Sequence, residues 1–314
     1  QEPFRSGGSF RQALAAMRPA LNPLDAAMRA LACRDSDLES LDLLGCSVAA
    51  ADAPRLAAAL ACHATVTSIG LGHNCLGDQG VAELGRAIAG NPGIRHLDVR
   101  SNGIRTAGAA SIAQTLVAGS ALTHLDLAAN SIGAAGAARL AEALARNDSL
   151  THLNLWSNSI GDVGAASLAR ALAGNGALAH LDLGANGMRD EAIASMAEAL
   201  TCNTVLRRLD LGGNDISDEG VASIAGALVK NATLTHLDLR YNCVRESGAS
   251  WLVDSLAVNK TIACIDLRLN FIGDDVQGRL DTVLVKNRDL QGRRRFFGEL
   301  MLMLRLWAGA ASPF

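Results

Sequence analysis

The stretch LTHLDLAANSIGAAGAARLAEALARN, Leu122 to Asn147, carries two periodicities in one short unit. Leu122, Leu125 and Leu127 alternate in the manner of a short strand, whereas Leu140 and Leu144 stand four apart on one face of a helix. Gly133 and Gly136 fall between them, where the chain must turn tightly. Asn130 marks the junction, and its position recurs every 28 residues. A unit this short hides its apolar face only by stacking on copies of itself. The period therefore predicts one solenoid with a continuous core, not the two or three domains that 314 residues would otherwise suggest.

Working outward from that unit, nine strand-turn-helix repeats are marked by Cys46, Asn74, Asn102, Asn130, Asn158, Asn186, Asn214, Asn242 and Asn270. An amide at the junction carries both a donor and an acceptor, and so is suited to bridge backbone groups of neighbouring layers that would be buried unpaired. Cys46 can replace only part of that role. A second phased series, Asn91, Asn147, Asn175, Asn203, Asn231, Asn259 and Asn287, closes the helices, with His63 and Gly119 in the remaining slots. These residues are expected to stop each helix by taking the left-handed conformation.

The pattern LxxLxLxxNxIGxxGAxxLAxALxxN, running from Leu38 to about Asn287, resembles the ribonuclease-inhibitor type of leucine-rich repeat. It is similar also to repeats of NOD-like receptors, Ran GTPase-activating proteins, tropomodulins and some bacterial secreted effectors. The resemblance implies an α/β leucine-rich-repeat solenoid, a horseshoe of nine 28-residue repeats with parallel strands on the concave face and helices on the convex face. It implies little about chemistry, because a scaffold defines this family and not an activity. The domains expected are an N-terminal helical cap over residues 1–37, the repeat domain over 38–289 and a C-terminal helical cap over 290–314. Within the first, Leu24 to Cys33 reads as the helical half of a repeat, with Met28 in phase with Leu56. In the last, an apolar helix from about Phe296 to Trp307 is expected to lie over the final layer.

A formal net charge of −3 gives no general attraction to phosphate backbones or anionic lipid, so neither nucleic acid nor a membrane is an expected partner. No signal peptide is evident before Leu21, and LMLMLRLW near the C-terminus is far short of the ~20 apolar residues a spanning helix needs. Seven cysteines, Cys33, Cys46, Cys62, Cys75, Cys202, Cys243 and Cys264, include no CxxC pair and read as free thiols of a reducing compartment. The localisation expected is cytoplasmic, or delivery into a host cell if the chain is a bacterial effector. No nucleophile-base pair, P-loop or compact metal motif stands out, so the expectation is no enzyme, no cofactor and no metal.

Alternation places the residues between the strand leucines on the concave face. One column runs Ser40, Ser68, His96, His124, His152, His180, Arg208, His236, Cys264, and the next runs Asp42, Gly70, Asp98, Asp126, Asn154, Asp182, Asp210, Asp238, Asp266. Like residues stack ~4.8 Å apart in such columns, so the carboxylates need partners, which the His and Arg column is expected to supply. A metal-binding or pH-responsive histidine array, active between pH 5 and 7.5, is the competing reading; an extended ladder is unlike the compact cluster that metals prefer. A third column varies from repeat to repeat: Leu44, Gly72, Arg100, Ala128, Trp156, Gly184, Gly212, Arg240, Arg268.

Large aromatic and arginine side chains on such a face are typical of interface hot spots. The partner-binding residues expected are thus Trp156, Arg240, Tyr241 and Arg268, with Arg100 and Phe271 behind them and His124, His152, His180, His236, Asp182, Asp210 and Asp238 in the columns alongside. A rim of carboxylates, among them Asp162, Asp190 and Asp218, lies ahead of successive helices, where negative charge is stabilising. The function expected is a protein-protein interaction scaffold that binds a partner protein through the concave face. The alternatives are a GTPase-activating regulator, using Arg100, Arg240 or Arg268, and a secreted bacterial effector recognition domain.

Overall fold

The computed structural model describes residues 23–32 and 38–310, with side chains described as far as Gly292. Nine strands, β1 (Ser40–Asp42), β2 (Ser68–Gly70), β3 (His96–Asp98), β4 (His124–Asp126), β5 (His152–Asn154), β6 (His180–Asp182), β7 (Arg208–Asp210), β8 (His236–Asp238) and β9 (Cys264–Asp266), form one parallel sheet in chain order. The register never slips: His124 pairs with His152 and Asp182 with Asp210, and each strand residue meets its counterpart in the next repeat. Sequence phase is therefore spatial alignment in this molecule.

The helices are α1 (Pro23–Ala32), α2 (Ala53–Ala61), α3 (Gly77–Ala89), α4 (Thr106–Val117), α5 (Gly133–Leu144), α6 (Gly161–Gly174), α7 (Asp190–Cys202), α8 (Asp218–Leu228), α9 (Glu246–Val258) and α10 (Asp274–Ala310). Each packs against the helices of adjacent repeats. Within one layer Leu122, Leu125, Leu127, Ile132, Leu140 and Leu144 are all buried. Each such side chain contributes about 1.5–3 kcal/mol by leaving water. The layers merge into a single core running from Leu24 to Leu284.

At the N-terminal edge α1 buries Leu24, Ala27 and Leu31 and packs on α2, in the place of the half-repeat expected from Leu24 to Cys33. The rest of the expected N-terminal cap, residues 1–22 and 33–37 with Cys33, lies outside the described residues. At the other end α10 continues the last repeat without interruption to Ala310. The boundary expected between residues 289 and 290 falls inside that helix, and Phe296 to Trp307 is its continuation and not a separate element. Among the described residues no helix is long and apolar enough to cross a membrane.

Both asparagine series are ladders. Asn158, fully buried, donates from Nδ2 to the carbonyls of Leu127, Leu155 and Trp156 at 2.9, 3.1 and 3.2 Å, while Oδ1 accepts from the N–H of Ile132. The amide thus ties its own turn to the previous layer. At the far end of the helix Asn175 does the same: Nδ2 donates to the carbonyls of Leu144 and Asn147, and Oδ1 accepts from the N–H groups of Ala177 and Leu178.

The expected left-handed helix stop is corrected by this second ladder. Asn175, Asn203 and Asn259 have ψ of 125, 129 and 126° in the extended region, because their side chains are pulled into the stack. Only at Gly119, which has no amide, does the slot take a left-handed φ of +86°. Left-handed geometry falls elsewhere, at the residue just before each junction: Gly45, His73, Ser101, Ala129, Ser157, Ala185, Gly213, Tyr241 and Leu269. Asn147, Asn231 and Asn259, each followed two residues later by serine or threonine, are buried rungs of the ladder.

The acidic rim has a structural use as well. Asp78 accepts from the N–H groups of Arg105 and Gly108, Asp162 from Arg189, Asp190 from Ser217 and Asp218 from Arg245. Each carboxylate caps the helix of the next repeat, at the end where unpaired N–H groups favour negative charge. Gly108 is required there, since a Cβ would stand 2.6 Å from the Asp78 oxygen.

Candidate functional site

On the face of the sheet away from the helices, a hollow of about 490 Å³ is lined by the first two columns from β4 to β9, together with Arg100. The histidine column is half-buried and stacked. The ring centroids of His96, His124, His152 and His180 follow one another at 4.3, 3.9 and 4.0 Å. His124, His152 and His236 bond through Nδ1 to the hydroxyls of Thr123, Thr151 and Thr235 at 2.8–2.9 Å. Those hydroxyls donate to backbone carbonyls one repeat earlier. Each Nδ1 must then carry the proton, which leaves Nε2 as an acceptor.

Burial and the neighbouring rings push His124 and His152 down to about 4, and His96, His180 and His236 move the same way. For His124 and His152 this lies below the pH 5 to 7.5 window of the competing reading, and for His96, His180 and His236 the shift runs in the same direction. Among the described residues no group of three histidine, cysteine or acidic side chains is disposed to hold a metal ion.

The aspartate column titrates in their stead. Oδ1 of Asp98, Asp126, Asp182, Asp210, Asp238 and Asp266 accepts the N–H two residues onward, which turns the chain out of each strand. Asn154 fills that role in β5. Desolvation raises Asp182 to about 7, with repulsion from Asp210 adding to it, and raises Asp98 to about 6. Asp210 and Asp238 shift upward too, again through burial first. Asp182 in the hollow, and Asp98 one strand outside it, are thus shifted toward neutrality.

Pairing comes from the third column and not, as expected, from the histidines. Arg100 lies 3.4 Å from Asp98 and 4.0 Å from Asp126, and Arg240 lies 3.0 Å from Asp238 and 3.8 Å from Asp210. Arg268 grips both oxygens of Asp266 and holds that carboxyl below its ordinary range. Asp182, by contrast, takes part in no salt bridge among the described residues.

The large side chains expected to bind a partner are exposed: Trp156 at 45%, Tyr241 at 62% and Phe271 at 69%. Leu269, which sequence reasoning left aside, is 61% exposed beside them. Its signal was available, since the left-handed slot it fills is held by glycine, alanine, serine or histidine in seven of the other repeats. Trp156 stands apart from the Tyr241, Leu269 and Phe271 group. The third-column residues of β6 and β7 between them are Gly184 and Gly212, both buried. Among the described residues the thiols of Cys62, Cys75, Cys202, Cys243 and Cys264 form no disulfide.

The repeating strand, asparagine turn and helix, stacked in a parallel sheet, define a leucine-rich-repeat solenoid. A family model described as Leucine Rich repeat matches residues 62–85, 90–113, 121–141, 146–169, 202–225 and 230–252, so the chain carries leucine-rich repeats by sequence as well as by architecture. No curated protein matches the sequence. Among solved structures, the chain is similar to the actin-binding site 2 of leiomodin-1 at 12% identity and a TM-score of 0.34, covering 89% of this chain and 97% of that one. It is similar to the tropomodulin C-terminal domain of Caenorhabditis elegans at 14% identity and 0.40, covering 44% and 86%. An internalin from Listeria monocytogenes follows at 21% identity and 0.41, with 69% of this chain and 58% of that one covered.

Proposed function

We propose that this protein is a non-catalytic scaffold that holds a partner protein on the open face of its sheet. The observation that carries this reading is the exposure of Trp156, Tyr241, Leu269 and Phe271 on the turns that follow the strands lining the hollow. Exposed aromatic side chains beside arginines have the make-up of an interface, where a few large anchors dominate the affinity. The finer assignment, a concave horseshoe surface of the ribonuclease-inhibitor type, is part of the same proposal. Arg100, Arg240 and Arg268 are each held by an aspartate of the chain, which favours plain binding over an arginine supplied to a GTPase. The test compares partner capture by the intact protein and by Trp156→Ala combined with Arg240→Ala. Loss of the partner from the double variant is expected. Equal retention by both proteins removes the open face from consideration.

A further inference from the structure

On β3, β8 and β9 the third column supplies an arginine to the aspartate two residues before it: Arg100 to Asp98, Arg240 to Asp238, Arg268 to Asp266. On β6 the aspartate is present, as Asp182, but the third-column residue is Gly184. The glycine lets its neighbours close over it: a Cβ at Gly184 would stand 2.8 Å from Cδ1 of Trp156, 3.0 Å from the carbonyl oxygen of Gly212 and 3.3 Å from Oδ1 of Asp182, so the indole edge lies near the carboxylate at the border of the hollow that Asp182 lines. Gly212 is covered in the same way by the side chain of Arg240.

The geometry points to a receptor for a basic side chain: a lysine or arginine of the partner protein enters the hollow and pairs with the Asp182 carboxylate, flanked by the Trp156 indole. This rests on the open face being the binding face. An incoming cation would complete on β6 the arrangement that the chain completes for itself on β3, β8 and β9. Charge complementarity selects it, because among the described residues Asp182 takes part in no salt bridge, while Asp98, Asp126, Asp210, Asp238 and Asp266 each have an arginine within 4.0 Å. The indole adds attraction through its π-face, and a partly desolvated site strengthens it. Arg240 across the glycine floor excludes a second cation from the adjoining strand.

The same site is proton-coupled. Asp182 sits at about 7, so at pH 6 a cation must displace a proton before it can pair. The groups around it are Asn154 on β5, Asp210 on β7 and His180 and Leu181 on its own strand, with Asp126, Asp238 and Arg208 further along. Burial first and Arg208 next lower the proton affinity of His180, which moves its titration away from this range.

The experiment titrates N-acetyl-arginine amide and N-acetyl-lysine amide into the full chain and follows the Gly184 amide by NMR. That N–H donates to Asp182 at 2.9 Å and reports its charge. Saturable shifts are expected with both cations and none with N-acetyl-glutamine amide. Affinity should fall about tenfold from pH 8 to pH 6, as expected for a carboxyl that titrates at about 7. Asp182→Asn should abolish the response and Trp156→Ala should weaken it several-fold. The Asn variant has a native precedent in Asn154, so loss of folding does not obscure the result. A response to the neutral amide equal to that of the cations overturns the proposal, as does an undiminished response in Asp182→Asn. Neither depends on capture of the partner, which tests the binding face separately.

Discussion

Asn130 and Asp126 lie four residues apart and recur at one period, yet they meet opposite fates. The asparagines stack inside the molecule as neutral groups whose donors and acceptors all find backbone partners. The aspartates stack at the edge of a hollow, where burial first, and like charges brought together by the same regularity second, lift the proton affinity of Asp182, Asp210 and Asp238. Repetition therefore stabilises one column and burdens the other. A neutral ladder gains from each added rung, whereas a charged one stores an unfavourable term that a bound cation can relieve. The asymmetry separates what holds the stack together from what it offers to a partner.

The comparison breaks first at the asparagine side. Asn158→Ala strands the carbonyls of Leu127, Leu155 and Trp156 and the N–H of Ile132 in the interior. A loss of about 3–5 kcal/mol is expected, read as a lower urea midpoint. A variant as stable as the parent would show that the ladder is ornamental.

Asp182→Asn should act in the opposite direction. The folded carboxyl binds its proton up to about 7, against 3.8 for the ordinary group, so its stability contribution is full below pH 4 and disappears as pH rises through 7. At pH 8 the neutral variant is expected to exceed the parent by on the order of 3 kcal/mol, and at pH 4 the two should coincide. Thermal unfolding at the two pH values decides it. An equal difference at both would mean that charge is not the cause.

The smallest effect is expected at Tyr241, held at φ +55° where Gly213 occupies the equivalent place one repeat earlier. Tyr241→Gly should stabilise the fold by about 1 kcal/mol through relief of left-handed strain, while weakening partner capture. A variant that loses stability would show the ring to be packed and not displayed.

Much of this was legible in the sequence because a fixed period converts distance along the chain into layers. Leu125 and Leu140 announce a strand and a helix by their spacing, and the columns on the open face follow by alternation. What periodicity does not reveal is which neighbour a side chain chooses. Thr123 and Thr151 take the histidines, and the arginines take the aspartates, because local hydroxyls and flexible guanidinium stems reach further than the strand pattern indicates. The helix-closing asparagines were read as local stops because a single repeat cannot show a bond to the repeat before it. Similarly, nothing in QGRRRFFGELMLMLRLW distinguishes a new helix from the end of an old one.

The asparagine ladders also have a direction. The amide of each layer serves carbonyls and N–H groups of the layer before it, as Asn158 serves Leu127 and Ile132. During synthesis the N-terminal layers emerge first, and every newcomer completes its predecessor. The growing stack thus carries one unfinished seam at a time, always at the edge nearest the ribosome.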